Sequence, residues 1–140
     1  MDQPCLLVGT DFSAGAAAAL AEARRLAQRM NCAVRVVHVV EAERASEWRP
    51  SPEARQWLTT AQLEEAALDV RFGRPWVELA RCADSCTPAF VVVGSHGSSG
   101  YQPVSMGATA ERLSLNARHP VLLVGPRRGG VHRWARSSRE

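Results

Sequence analysis

The chain has 140 residues, of which 46% are hydrophobic, a length and composition that suit one domain with a single core. All 17 basic residues are arginine, so the classes that need a lysine are excluded: P-loop proteins, protein kinases and pyridoxal enzymes. The net charge of +3 is uneven, because residues 126–140 hold five arginines and one glutamate, a net +4 that leaves −1 for residues 1–125.

The first part of the chain predicts a strand, a helix and a second strand. Residues 6–8 form a short apolar run that ends at Gly9, as expected of a buried strand. Ser13 is a suitable cap for the following helix, whose apolar residues recur at helical spacing as far as Met30. Residues 33–40, AVRVVHVV, are rich in β-branched side chains and predict the second strand.

The same alternation continues to residue 124. The later predicted elements are a helix begun by Ser51 and Pro52, a strand at 68–72, a helix opened by Pro75, a strand at 90–93, a helix at 108–116 and a strand at 121–124. Strands that alternate with helices predict an α/β fold with an open, mostly parallel sheet and helices on both faces. Residues 1–125 are predicted as the single domain, and residues 126–140 as a flexible basic tail.

Composition also bears on compartment, partners and metals. No apolar run approaches the roughly 20 residues that a membrane span needs, and residues 1–11 lack the basic start of a signal peptide. We therefore expect a cytoplasmic protein with no membrane partner. Nucleic acid is not an expected partner either, since only the tail is basic. The four cysteines lack metal-site spacing, so buried free thiols and no metal site are predicted.

A long stretch rich in glycine and serine separates the fourth strand from the last helix. Gly94 ends the strand and Gly107 precedes the helix, with Gly97 and Gly100 between them. Glycine permits close approach of the backbone to a ligand, and a helix N-terminus offers N–H groups and positive potential. The stretch therefore predicts an anion site that needs no lysine, with phosphate as its natural occupant. A flexible loop without a ligand is the alternative.

The spacing of these glycines resembles the nucleotide-binding motif of the universal stress protein family, G-x2-G-x9-G-S/T. Gly94, Gly97 and Gly107 match the three glycines, while Ala108 stands where the family has Ser or Thr. LLVGTDFSAGAAAAL and VRVVHVV are similar to the family's first two strands, and the likeness covers roughly residues 4–125. The resemblance implies a Rossmann-like, adenine nucleotide alpha hydrolase-like fold. It also implies a five-stranded parallel sheet of order 3-2-1-4-5 and a homodimer paired through strand 5.

The resemblance implies that the ligand is ATP or another adenine nucleotide, with or without Mg²⁺. In the implied strand order the sheet reverses direction between strands 1 and 4, where open α/β sheets bind ligands. The implied positions are Gly9, Thr10 and Asp11 at the end of strand 1, with Asp11 near the adenosine; Val39 against adenine; Val93 and Gly94 at the nucleoside; His96 and Gly97 at the ribose and phosphates; and Gly107, Ala108 and Thr109 at the helix on the phosphate side.

Two departures from the family pattern remove phosphate partners. Ala108 lacks the hydroxyl of the motif, and Ser98 stands where many relatives have Arg or Lys. The loss of one hydrogen bond to a charged group costs roughly 1.5–3 kcal/mol, which is a ten- to hundred-fold loss of affinity. We therefore expect weaker ATP binding, or a preference for AMP or ADP.

Three functions are compatible with these residues. The first is a universal-stress-type regulatory protein that binds an adenine nucleotide with little or no turnover, since lysine and clustered carboxylates for Mg²⁺ are absent. The second is a dimeric stress protein that binds no nucleotide and acts as a protein-interaction module, as Ala108 and Ser98 favour. The third is an enzyme, for which Asp11 and His96 are the only acid–base pair. A catalytic triad of Ser95, His96 and Asp11 is not expected, because neighbouring residues such as Ser95 and His96 rarely align as nucleophile and base.

Overall fold

The computed structural model describes residues 3–41, 48–96 and 107–125, and the backbone of residues 131–135. Strands and helices alternate along the chain. The strands are β1 (Cys5–Thr10), β2 (Ala33–Val40), β3 (Leu68–Phe72), β4 (Phe90–Gly94), β5 (Val121–Val124) and β6 (Val131–Ala135). The helices are α1 (Ala14–Met30), α2 (Pro52–Thr60), α3 (Pro75–Cys86) and α4 (Ala108–Asn116), and a 3-10 turn at Glu65–Ala67 precedes β3.

The strands form one sheet in the order β3-β2-β1-β4-β5-β6. Strands β1 to β5 are parallel, which confirms the predicted α/β fold and the order 3-2-1-4-5. Since β1 pairs with β2 on one side and with β4 on the other, the direction of the crossovers reverses between β1 and β4. The connections that leave β1 and β4 therefore run to opposite faces of the sheet, which leaves a crevice beyond the carboxyl ends of these two strands.

Two apolar clusters, one on each face of the sheet, form the core. The first contains Leu6 and Leu20 and packs α1 and α2 against the sheet. The second contains Leu7 and Leu113 and packs α3 and α4 against the opposite face. Leu6 and Leu7 are adjacent yet belong to different clusters, because side chains alternate across a strand. Coverage of both faces explains why the predicted strands are continuous apolar runs.

Local side-chain hydrogen bonds set the helix ends. Ser13 Oγ accepts from Ala16 N–H at 3.1 Å, and Ser51 Oγ accepts from Ala54 N–H at 3.0 Å, so both predicted caps are formed. Asn31 ends α1 in the left-handed conformation, with a φ of 56°. None of the helices in the described ranges combines the length and apolarity that crossing a membrane requires.

The C-terminal residues correct the prediction of a flexible tail. Val131–Ala135 form β6, which pairs antiparallel with β5. The backbone N–H and C=O groups on the outer side of β5 therefore find partners within the same chain. The homodimer through strand 5 that the resemblance implies would therefore have to displace β6 from this edge.

Candidate functional site

A crevice of about 570 Å³ lies at the carboxyl edge of the parallel sheet, between the ends of β1, β2 and β4. The first turns of α1, α3 and α4 complete its walls. This is the point where the direction of the crossovers reverses, and open α/β sheets bind ligands at such points. The volume is within the range of roughly 300–1,000 Å³ that small-molecule sites occupy. We therefore take this crevice as the candidate site.

Ten of the eleven predicted site residues line this one crevice, and Gly97 lies outside the described residues. The ten come from four separate stretches of the chain, and the fold alone brings them together. They are Gly9, Thr10, Asp11, Val39, Val93, Gly94, His96, Gly107, Ala108 and Thr109.

Several crevice residues are not predicted from the sequence. Val37 and Glu41 lie two residues to either side of Val39, so the alternation of strand side chains was a usable signal for both. Leu79 gives no such signal, since only the packing of α3 brings it to the end of β1. The other lining residues that were not predicted are Ser13, Ala16, His38, Val40, Pro75 and Ala110.

The inner part of the crevice is apolar. Val39, Leu79 and Val93 are each buried and belong to the cluster between the sheet and helices α3 and α4. Gly9 completes this surface, because a Cβ there would lie 2.8 Å from Leu79 Cδ1 and 3.3 Å from Val93 Cγ1. Glycine therefore leaves room above these side chains, and the surface can receive an apolar group such as the face of a base.

The turn between β1 and α1 is held by its own side chains. Thr10 Oγ1 accepts from Phe12 N–H at 2.9 Å, and Asp11 Oδ1 accepts from Ser13 N–H at 3.0 Å. Phe12 has a φ of 65°, a region that bulky residues seldom adopt. The hydrogen bonds of Thr10 and Asp11 stabilise this strained turn and fix the position of the Asp11 carboxylate at the crevice.

An aromatic cluster packs against the same turn between β1 and α1. The ring of Phe12 lies 4.4 Å from the ring of His38 and 5.5 Å from that of Trp57. His38 Nδ1 donates to the Thr10 carbonyl at 2.8 Å, and Trp57 Nε1 donates to the Ser13 carbonyl at 2.9 Å. Ring packing and two hydrogen bonds to the backbone thus offset the strain at Phe12.

Replacing Trp57 by phenylalanine is expected to lower the free energy of unfolding by about 1 kcal/mol, because the hydrogen bond to Ser13 is lost while most ring packing stays. Urea unfolding curves measure the change. Trp76→Phe is the matched control, since Trp76 packs on the opposite face of the sheet. Equal losses in the two variants would show that the Ser13 hydrogen bond contributes nothing measurable.

Two glycines allow α1 to approach the end of β4. A Cβ on Gly15 would lie 2.4 Å from the His96 carbonyl oxygen, and a Cβ on Gly94 would lie 2.9 Å from the Gly15 backbone. Both distances are shorter than any normal Cβ contact. Gly15 is not singled out by the sequence, yet its lack of a side chain lets the start of α1 and His96 border the same crevice.

The ends of the glycine-rich stretch are joined at Ser95. The Ser95 carbonyl accepts from Gly107 N–H at 2.7 Å, and Ser95 N–H donates to the Val124 carbonyl at 2.8 Å. Ser95 Oγ also lies 2.9 Å from His96 Nδ1, so these adjacent side chains form a hydrogen bond. Ser95 is buried, and its hydroxyl contacts a histidine ring that lines the crevice.

The start of α4 forms one wall of the crevice. Asp11, in the turn after β1, lines another part of it. Its cap residue, Gly107, has no side chain with which to satisfy the first-turn N–H groups. Residues 107–110 line the crevice, and Ala108 is exposed. The N–H groups of a first helical turn have no partner within the helix and favour an anion.

The cysteine thiols lie toward the amino ends of the parallel strands, away from the crevice. Cys5 begins β1 there, and Cys86 ends α3. Burial raises the pKa of Cys82, and the Arg71 guanidinium opposes that shift. Burial and a hydrogen bond with the Cys5 thiol raise the pKa of Cys86. Thiols held protonated are poor nucleophiles and poor metal ligands. The described ranges contain no cluster of three or more His, Cys, Asp or Glu side chains suited to a metal ion.

The family model of the universal stress proteins matches residues 6–125. The chain belongs to the universal stress protein family. The match spans β1 to β5 and therefore includes every strand and helix that lines the crevice. No curated protein sequence matches the chain.

Solved structures of other universal stress proteins share the fold. UspA from Lactobacillus plantarum has a TM-score of 0.64 at 20% identity, over 88% of this chain and 98% of the other. A universal stress protein from Archaeoglobus fulgidus has a TM-score of 0.63 at 22% identity, over 88% of this chain and 98% of the other. A third, solved in complex with cAMP, has a TM-score of 0.64 at 21% identity, over 90% of this chain and 99% of the other. At these identities the likeness establishes the architecture.

Proposed function

We propose that this universal stress protein is a regulatory protein that binds an adenine nucleotide in the crevice between β1 and β4, with little or no turnover. The observation that carries the proposal is that ten of the eleven positions implied by the family resemblance line one crevice of suitable size. The complex of a neighbouring universal stress protein with cAMP supports the choice of an adenine nucleotide.

The chemistry of each wall suits one part of such a ligand. The apolar surface of Val39, Leu79 and Val93 would receive the base. The Asp11 carboxylate would accept a hydrogen bond from a ribose hydroxyl, as acidic residues at strand ends do in dinucleotide sites. The first turn of α4 would hold a phosphate through backbone N–H groups. A Mg²⁺ ion would reach this site with the nucleotide, through its phosphates.

Binding without rapid hydrolysis follows from the available charges. Efficient phosphoryl transfer relies on lysine or arginine at the transferred phosphate and on Mg²⁺ held by protein ligands. The chain has no lysine, and no arginine lines the described part of the crevice. The described carboxylates and histidines form no cluster that would hold the ion in place. We therefore propose that nucleotide binding itself is the regulatory signal.

Calorimetric titration of the protein with ATP, ADP and AMP, with and without Mg²⁺, tests this proposal. We expect saturable binding that is lost in Gly9→Val, because the new side chain pushes Leu79 and Val93 into the space for the base. Ala33→Val adds a similar side chain at the opposite end of β2 and should leave binding intact. If no adenine nucleotide binds the wild-type protein, the protein-interaction module becomes the better hypothesis.

A further inference from the structure

We propose that the crevice selects ligands with one phosphate or none, namely a nucleoside or a nucleoside monophosphate, against nucleoside triphosphates. We further propose that Glu41 is a residue that determines this specificity. The inference rests on the proposed function and adds to it the charge class of the ligand.

The charged side chains of the crevice are the first support. Among its described lining residues, Asp11 and Glu41 carry carboxylates, and none is arginine. Two histidines also line it: His38 lies within hydrogen-bonding distance of the Thr10 carbonyl, and His96 of the Ser95 hydroxyl. A triphosphate with three to four negative charges, by a rough count, would enter a space whose fixed side-chain charge is negative.

The charges next to the lining residues are mixed, since Arg74 precedes Pro75 and the pair Glu111 and Arg112 follows Ala110. The sequence of residues 97–110 contains no acidic or basic residue. Residues 41–47 contain three glutamates and one arginine, so neither of these two segments carries a net positive charge.

Glu41 is placed where its charge acts on the ligand. It directly follows β2, whose last four residues also line the crevice, and its side chain is exposed. A carboxylate in the lining repels a phosphate chain through space at low ionic strength. Removal of its charge leaves the apolar surface of Val39, Leu79 and Val93 in place.

The donors that remain for a phosphate are neutral. The first turn of α4 offers backbone N–H groups and roughly half a positive charge from the helix dipole. This is sufficient to stabilise one phosphate group at the helix start. Second and third phosphates would lie beyond the first turn, where the effect of the dipole declines within a few ångströms and the carboxylates oppose them.

Titrations with adenosine, AMP and ATP at low ionic strength and without Mg²⁺ test the inference. We expect AMP to bind about tenfold more tightly than ATP, since each added charge meets uncompensated carboxylates. Glu41→Gln should tighten ATP binding and so reduce the ratio of the ATP Kd to the AMP Kd about threefold. The affinity for adenosine should stay unchanged. Glu64→Gln is the matched control, because Glu64 is exposed and precedes β3 at the opposite edge of the sheet.

The outcomes separate this inference from the function on which it rests. ATP that binds as tightly as AMP without Mg²⁺, or a ratio that Glu41→Gln leaves unchanged, would overturn the inference but not nucleotide binding. Failure of adenosine, AMP and ATP alike would overturn the proposed function itself. A smaller ratio of the ATP Kd to the AMP Kd in Glu41→Gln, together with a wild-type ratio in Glu64→Gln, would support selection by charge.

Discussion

Replacing Gly15 by alanine is expected to destabilise the protein by about 2 kcal/mol, the cost typical of overpacking. Helix propensity alone predicts the opposite, because alanine is favoured over glycine inside a helix by roughly 1 kcal/mol. The decisive contact is the one to β4, since the new Cβ would lie 2.4 Å from the His96 carbonyl oxygen. Backbone cannot rotate away as a side chain can, so α1 itself must shift outward.

Urea unfolding measures this loss, and ligand titration should show weakened binding because the shift moves both Ser13 and His96. Ala21→Gly is the control, since Ala21 is exposed on the same helix and its replacement costs roughly 1 kcal/mol of propensity without a clash. We expect this control to bind ligand normally. A Gly15→Ala variant more stable than the wild type would show that α1 does not need this close approach.

Replacing Ala108 by serine is expected to tighten the binding of phosphate-bearing nucleotides about ten- to hundred-fold, the value of one hydrogen bond to a charged group. Ala108 is exposed, begins α4 and lines the crevice, so the new hydroxyl lies beside the N–H groups of the first turn. The cap residue Gly107 makes no side-chain hydrogen bond to that turn, and serine adds the donor that the family motif has at this position.

Adenosine provides the internal control for this variant, because it lacks the phosphate that the new hydroxyl would contact. Calorimetry should show tighter AMP or ATP binding with adenosine unchanged. An equal gain for adenosine would mean that serine acts through the fold, and no gain for any nucleotide would place the phosphate away from the start of α4. Thr109→Val tests in the same way whether the neighbouring hydroxyl already serves the phosphate.

Gly15 and Ala108 affect the site in different ways. Gly15 lets the start of α1 approach the end of β4, where both border the crevice. Under the proposed function, Ala108 and Glu41 would determine which ligand the crevice holds, through a missing donor and a carboxylate in the lining. A universal stress protein of this kind would respond to the level of a nucleoside or monophosphate, a signal distinct from the ATP concentration.

The predicted elements were accurate where apolar pattern and capping agree. The bounds of β2, β3 and α4 match the predicted ranges, because β-branched runs and capping residues act locally. The 3-10 turn at Glu65–Ala67 and β6 were not predicted. The strand Val131–Ala135 lies in an arginine-rich segment, and only the unpaired edge of β5 makes it favourable as a strand.

The site was predicted through glycine spacing, and the packing around it was not. Glycine spacing marks where backbone approaches a ligand, so it names Gly94 and Gly107, while the family resemblance adds Gly9. It gives no information on the residue that packs against each glycine. Leu79, which faces Gly9, reaches the crevice from a helix about seventy residues away in the chain, and the sequence carries no local sign of that contact.

By itself, the sequence determined the order of strands and helices, the lack of lysine chemistry and the phosphate-oriented glycine motif, because periodicity, composition and spacing are local properties. The tertiary structure decided which residues share the crevice, the close approach at Gly15, the Ser95–His96 hydrogen bond and the covering of β5 by β6. Each of these depends on distances between segments far apart in the chain, and those distances are fixed only when both faces of the sheet are packed.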